Sequence, residues 1–151
     1  MAFRTLSFDD GRGSLVQAAG RVDAREVLAA YEGYFEPERV RRRLYVFADF
    51  TALTELAAGS DIVQLVARAG DGATEYYPRF GAVAVVGASD LAFGMARMWE
   101  GHVSQRLGQV EWSTSATRSR DEATRWLCEV MRNRHGLDVT RQLSDVLARS
   151  W

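Results

Sequence analysis

The stretch Arg79–Leu107, RFGAVAVVGASDLAFGMARMWEGHVSQRL, decides the fold class of this chain. Phe80 to Val86 is apolar at every position, the pattern of a strand covered on both sheet faces. Gly87, Ala88 and Ser89 form a small-residue turn. Asp90 then reads as a helix cap, and Leu91, Met95, Met98, Trp99 and Val103 recur every three or four residues as one apolar stripe. Gly108 is a natural stop. A strand, a tight turn and an amphipathic helix make half of a βαβ unit, so the chain is expected to build a parallel or mixed sheet.

Equivalent signals lie on either side. Leu44–Phe50, LYVFADF, is a second strand apolar on both faces and ending on an acid. Thr51 to Gly59 reads as a loop or a frayed turn, and Ser60 or Asp61 opens a helix with Ile62, Leu65, Val66 and Ala69 inward. Toward the N-terminus, Phe3, Leu6 and Phe8 precede Asp9-Asp10-Gly11-Arg12-Gly13, and Leu15 to Ala19 follows, which predicts a hairpin. Asp23 with Glu26 caps a helix presenting Val27, Leu28, Tyr31, Tyr34 and Phe35, closed by Pro37. Toward the C-terminus, Gln109–Ser115 reads as an edge strand. Ser119 with Glu122 caps a helix whose stripe is Ala123, Trp126, Leu127, Val130 and Met131. Asp138–Trp151 is a last amphipathic segment with Val139, Leu143, Val146 and Leu147 on one side.

Composition narrows the class of protein. At 151 residues the chain makes one domain with a sizeable core, divided here into an α/β domain over 1–135 and a helical extension over 136–151. A net charge of −1 gives no reason to expect nucleic acid. All 19 basic residues are arginine, so neither a lysine Schiff base nor a Walker lysine is available. The single cysteine suits a reducing cytoplasm, and no apolar run reaches the roughly 18 residues of a membrane span. The cluster Arg39, Arg41, Arg42, Arg43 reads as a solvated connection, since no aromatic interleaving supports an anion-binding patch.

No catalytic motif emerges. Gly81, Gly87 and Gly94 lack dinucleotide-binding spacing, and Gly11-Arg12-Gly13-Ser14 sits in a hairpin with no helix directly after it. Cys128 and His135 stand about 10 Å apart along one helix, too far for a nucleophile and its base. His102 and His135, without cysteine neighbours, do not make a metal site. Sheet topology places a ligand beyond the carboxyl ends of the strands. Those ends carry Asp49 and Thr51, then Gly87, Ser89 and Asp90, then Ser113, Thr114 and Thr117. Tyr76, Tyr77, Phe93 and Trp99 are either core residues or the lining of an apolar pocket.

The order β-β-α-β-α-β-α-β-α plus a C-terminal helix predicts a mostly parallel five-stranded sheet with an antiparallel first strand. With RLYVFADFTALT (43–54), FGAVAVVGASDLAFGMARMWEGHV (80–103) and SRDEATRWL (119–127), it resembles the SpoIIAA-like branch of the STAS superfamily over residues 3 to 131. The resemblance implies an anti-sigma-factor-antagonist fold, related in architecture to lipid-carrying Sec14-type domains. It also implies a non-catalytic regulatory module that needs no cofactor and acts on a protein partner. The alternative is a carrier or sensor of a small apolar or amphipathic ligand. Classical antagonists switch through a serine in an Asp-Ser-Ser-Gly-Leu segment opening the helix after the third strand. Ser60 is the nearest match, although Asp61 follows it, the second serine and the Gly-Leu are missing, and a helix cap also accounts for it. Because successive right-handed crossovers place most helices on one face, the C-terminal helix is expected to cover the other face, or the same surface of a second subunit in a homodimer.

Overall fold

The computed structural model describes residues 3–57, 64, 66, 68, 70–107 and 111–149, with 102–107 described as backbone only. Five strands form one sheet in the order β1-β2-β3-β4-β5: Phe3–Phe8, Gly13–Val22, Tyr45–Leu56, Phe80–Val86 and Glu111–Thr117. β1 is antiparallel to β2, and every other pair is parallel. Among the described residues the helices that accompany the sheet include α1 Ala24–Ala30, α2 Pro37–Arg42, α3 Asp90–Leu107, α4 Arg120–His135 and α5 Thr140–Ala148. This is the mixed α/β architecture that the sequence predicts.

The tight hairpin follows from Asp9-Asp10-Gly11, whose positive φ values let Arg12 N–H close back on the Asp9 carbonyl at 3.0 Å. Residues of each strand then alternate between two cores. On one face Val16, Ala18, Val46, Ala48, Phe50, Val83 and Val85 pack against Val27 of α1, Val66, and Ala92, Met95 and Ala96 of α3. On the other, Leu15, Tyr45, Phe47, Ala82, Ala84 and Val86 meet Ala123, Leu127, Cys128 and Met131 of α4, together with Val139, Leu143 and Val146. The second face is thus covered by α4 and by the C-terminal segment of the same chain. Gly136, at φ +64, ends α4 and turns the chain back over that face.

Several boundaries differ from the sequence reading. Thr51–Leu56 continues β3 instead of forming a loop, and β5 runs over 111–117, so it ends two residues later than expected. Pro37 does more than close the first helix, because it occupies the first turn of α2. Leu28 is among the few large apolar residues left exposed, while Trp126 lies at the margin of the α4 stripe, whose centre is Leu127. The arginine cluster is not uniformly solvated either. Arg41 pairs with Glu38 and lies over Tyr76, but Arg43 is only 4% exposed.

Candidate functional site

The residues expected at the carboxyl ends of the strands separate into three groups. Asp49 is level with Val86, the last residue of β4, and Val86 with Thr117, the last of β5. Asp49 and Thr51 nevertheless lie within β3, which pairs on with β2 as far as Val22–Leu56. Ser113 and Thr114 lie within β5 opposite Ala82 and Val83, on alternate faces of the sheet. They reach no common site with Asp49. Ser60 lies outside the described residues.

Gly87, Ser89 and Asp90 form the turn into α3. Ser89, one residue before the acid expected to do so, caps the helix, its Oγ accepting from Ala92 N–H at 3.0 Å. Asp90 is exposed and pairs with Arg118 at 3.0 Å. Gly87 is buried, and a Cβ there would overlap the Ala92 carbonyl. Its smallness is what lets α3 start so close to the end of β4.

Asp49 is the hub of a buried polar network. Its Oδ1 accepts from Thr51 N–H at 3.0 Å and from the Thr51 hydroxyl at 2.6 Å. Oδ2 accepts from Arg120 Nη2 at 2.5 Å and from Gln17 Nε2 at 3.3 Å. Gln17 Oε1 in turn accepts from Arg4 Nε and Nη2 at 3.0 and 2.8 Å. Arg4 also reaches the Arg149 carbonyl at 3.3 Å, tying β1 to the C-terminal end. Both Asp49 oxygens accept two bonds each and the side chain is 1% exposed, so its acceptor capacity is spent inside the protein. That arrangement fastens α4 to the sheet. It leaves no free carboxylate for acid–base chemistry with Asp90, which lies in the solvent-facing turn.

A small void lies elsewhere in the core. On the face carrying α1 and α3, Phe3, Ala18, Val22, Val27, Phe50, Leu53, Leu56, Met95 and Trp99 line an apolar cavity of about 10 Å³. The part of β3 beyond Asp49, expected from its composition to be loop, supplies Leu53 and Leu56. Of the four aromatics singled out in the sequence, only Trp99 lines the cavity. Tyr77 meets the Trp112 ring edge-on, Tyr76 lies under Arg41, and Phe93 lies under Arg118. Trp99 also stacks on Tyr31 at 6.0 Å and tilts against Phe50 at 6.0 Å. Among the described residues no group of three or more metal-ligating side chains occurs, and no helix is long and apolar enough to cross a membrane.

No protein-family model matches this chain, and no curated protein matches it. A solved structure does. An uncharacterised protein of the DUF3478 family with a SpoIIAA-like fold, from Shewanella loihica PV-4, is 15% identical. The match covers 84% of this chain and 93% of that one, with a TM-score of 0.50. The sheet order, the antiparallel first strand and this likeness agree: the chain has a SpoIIAA-like fold.

Proposed function

From this SpoIIAA-like fold we infer a non-catalytic STAS-type module that carries or senses a small apolar ligand between α1, α3 and the extension of β3. The cavity carries the reading, because its lining is wholly apolar and draws on five separate elements. An apolar void of this kind stays dry and favours hydrocarbon over water. About 10 Å³ admits only a small group, so a longer molecule enters by displacing side chains. Met95 and Trp99 stand at its wall, and methionine adapts readily to irregular occupants. The helices α1 and α3, which line it, move with any such displacement, which would turn ligand uptake into a surface change.

A second reading, a module acting by protein contact, is favoured by one observation. Beyond Asp49, β3 pairs only with β2 among the described residues, so Ala52 to Leu56 offers a strand edge on which Ala52, Thr54 and Glu55 are exposed. Incubation with a cell lipid extract followed by native mass spectrometry separates the two. A retained apolar adduct, lost when Val27→Trp fills the cavity, supports the carrier; a clean apo mass in both proteins favours the contact module.

A further inference from the structure

Among the described residues, the buried cation Arg43 has no counter-ion. The residue is 4% exposed, and its Nη1 makes no hydrogen bond among the described residues. Nη2 donates to the Tyr34 backbone carbonyl at 3.0 Å, and the guanidinium carbon sits 3.8 Å from the centre of the Tyr34 ring. A carbonyl dipole and an aromatic face soften a buried positive charge but do not neutralise it. The described arginines that do have a carboxylate within 4.0 Å are at least 40% exposed at their side chains, apart from Arg12 at 39%. Among the described residues, the one arginine taken out of water is therefore one that has no acid beside it.

Its surroundings are phenolic. Tyr34, whose hydroxyl is held by Ser14 at 3.0 Å, lies beneath the guanidinium, and Tyr31 meets Tyr34 edge-on at 4.9 Å. Burial pushes the Tyr77 hydroxyl up to about 12, against the pull of the nearby Arg43 charge and of a side-chain contact in which the Tyr77 oxygen accepts from the guanidinium. Burial likewise pushes Tyr31 well above its ordinary range. Both phenols are neutral at physiological pH and remain hydrogen-bond donors, so neither serves as the missing anion.

We propose that Arg43 is the cationic anchor of a binding site for a monocarboxylate, whose oxygen takes the unpaired Nη1 donors between Tyr34 and Tyr77. One buried guanidinium balances one negative charge, and its planar fork matches a carboxylate. A phosphate dianion would bury a charge with nothing to offset it. The aromatic walls suit an acid with an apolar body. This site is distinct from the cavity lined by Val27 and Trp99, and it stands whether or not that cavity takes a ligand.

The test titrates acetate, octanoate, octanol and inorganic phosphate into the wild type and Arg43→Met. Binding is read by calorimetry and by the side-chain nitrogen resonances of Arg43 in the wild type, assigned with Arg43→Lys. Octanoate is expected to move those resonances and to bind at least tenfold more weakly to Arg43→Met, whereas octanol, entering the apolar cavity, binds both proteins alike. Acetate should move the same resonances with lower affinity. Octanoate binding within twofold in the two proteins, unmoved Arg43 resonances, or a preference for phosphate would overturn the proposal. Should Arg43→Met not fold, the wild-type resonances decide the matter alone.

Discussion

Asp49 and Arg120 stand 71 positions apart in the chain, and their side chains meet at 2.5 Å where α4 begins its crossing of the sheet. The acid is almost fully buried, while Arg120 keeps 40% of its side chain exposed. Losing one partner therefore has unequal consequences. Asp49→Ala leaves an arginine that water can reach, whereas Arg120→Ala leaves a buried carboxylate held only by Gln17 and Thr51.

Arg120→Ala is accordingly expected to cost about 3 kcal/mol, near the lower end for breaking a buried pair. For a chain of this size that corresponds to a melting point lower by roughly 10 °C. Asp49→Ala should cost less. Thermal denaturation of both variants checks the order, and a larger loss for Asp49→Ala would show that the exposed arginine is not the better-solvated partner.

Two glycines seven positions apart predict opposite outcomes. Gly87→Ala drives a methyl into the Ala92 carbonyl, so α3 must shift outward, at a cost of about 1 to 3 kcal/mol. Gly94 lies within α3 with nothing within 4 Å of the added carbon, and alanine there should stabilise by about 0.5 to 1 kcal/mol. Urea denaturation of the pair measures both signs. Since Met95 and Trp99 of α3 line the cavity, Gly87→Ala should also change apolar ligand uptake while Gly94→Ala leaves it unchanged.

The same contrast explains what was legible in the sequence. Phe80–Val86 and the Ser119 cap were readable because a continuous apolar run and the capping box are local signals, visible within a few residues. The extension of β3 was not. Leu53 is buried while Ala52, Thr54 and Glu55 are exposed, and β3 carries an extra residue against β2 between Asp49 and Ala52 and again between Leu53 and Glu55, which breaks the two-residue alternation. With β4 ended at Val86, that segment has one strand neighbour among the described residues and lacks the continuous apolar pattern of the sheet centre. Ser89 and Asp90 are adjacent residues of equal capping ability, so composition cannot choose between them. The burial of Arg43 depends on Tyr34 folding back over it, which no charge pattern within Arg39 to Arg43 records.

The tyrosine layer sets an alkaline limit on stability. Tyr77 is pushed up to about 12 by burial in the folded chain, against an ordinary value near 10. The unfolded chain therefore loses this proton first, and the stability it contributes is complete below pH 10 and lost as pH rises from 10 through 12. At about 1.4 kcal/mol per unit the share of Tyr77 is about 2 to 3 kcal/mol. Tyr77→Phe should flatten this part of the stability curve, though not abolish it, because Tyr31 and Tyr45 are raised as well. Denaturant titrations at pH 9 and 11 measure the slope, and an unchanged slope in Tyr77→Phe would show that this hydroxyl ionises normally.

The C-terminal segment carries the last prediction. Val139, Leu143 and Val146 are each no more than 1% exposed and pack into the core that holds Tyr45, Phe47, Leu127 and Met131. At about 1.5 to 3 kcal/mol for each buried side chain, these three alone contribute about 5 to 9 kcal/mol of burial. A domain of this kind is stable by only about 5 to 15 kcal/mol. Truncation after Gly136 would also bare the α4 stripe and part of the sheet beneath it, an apolar patch of the kind that drives association. The truncated chain is expected to aggregate or to change oligomeric state. The single variant Leu143→Ala, which keeps the chain whole, should cost about 3 to 5 kcal/mol through its cavity. Light scattering and thermal denaturation test the pair together. A truncated protein that stays soluble, unchanged in state and equally stable would show that α4 alone covers this face of the sheet.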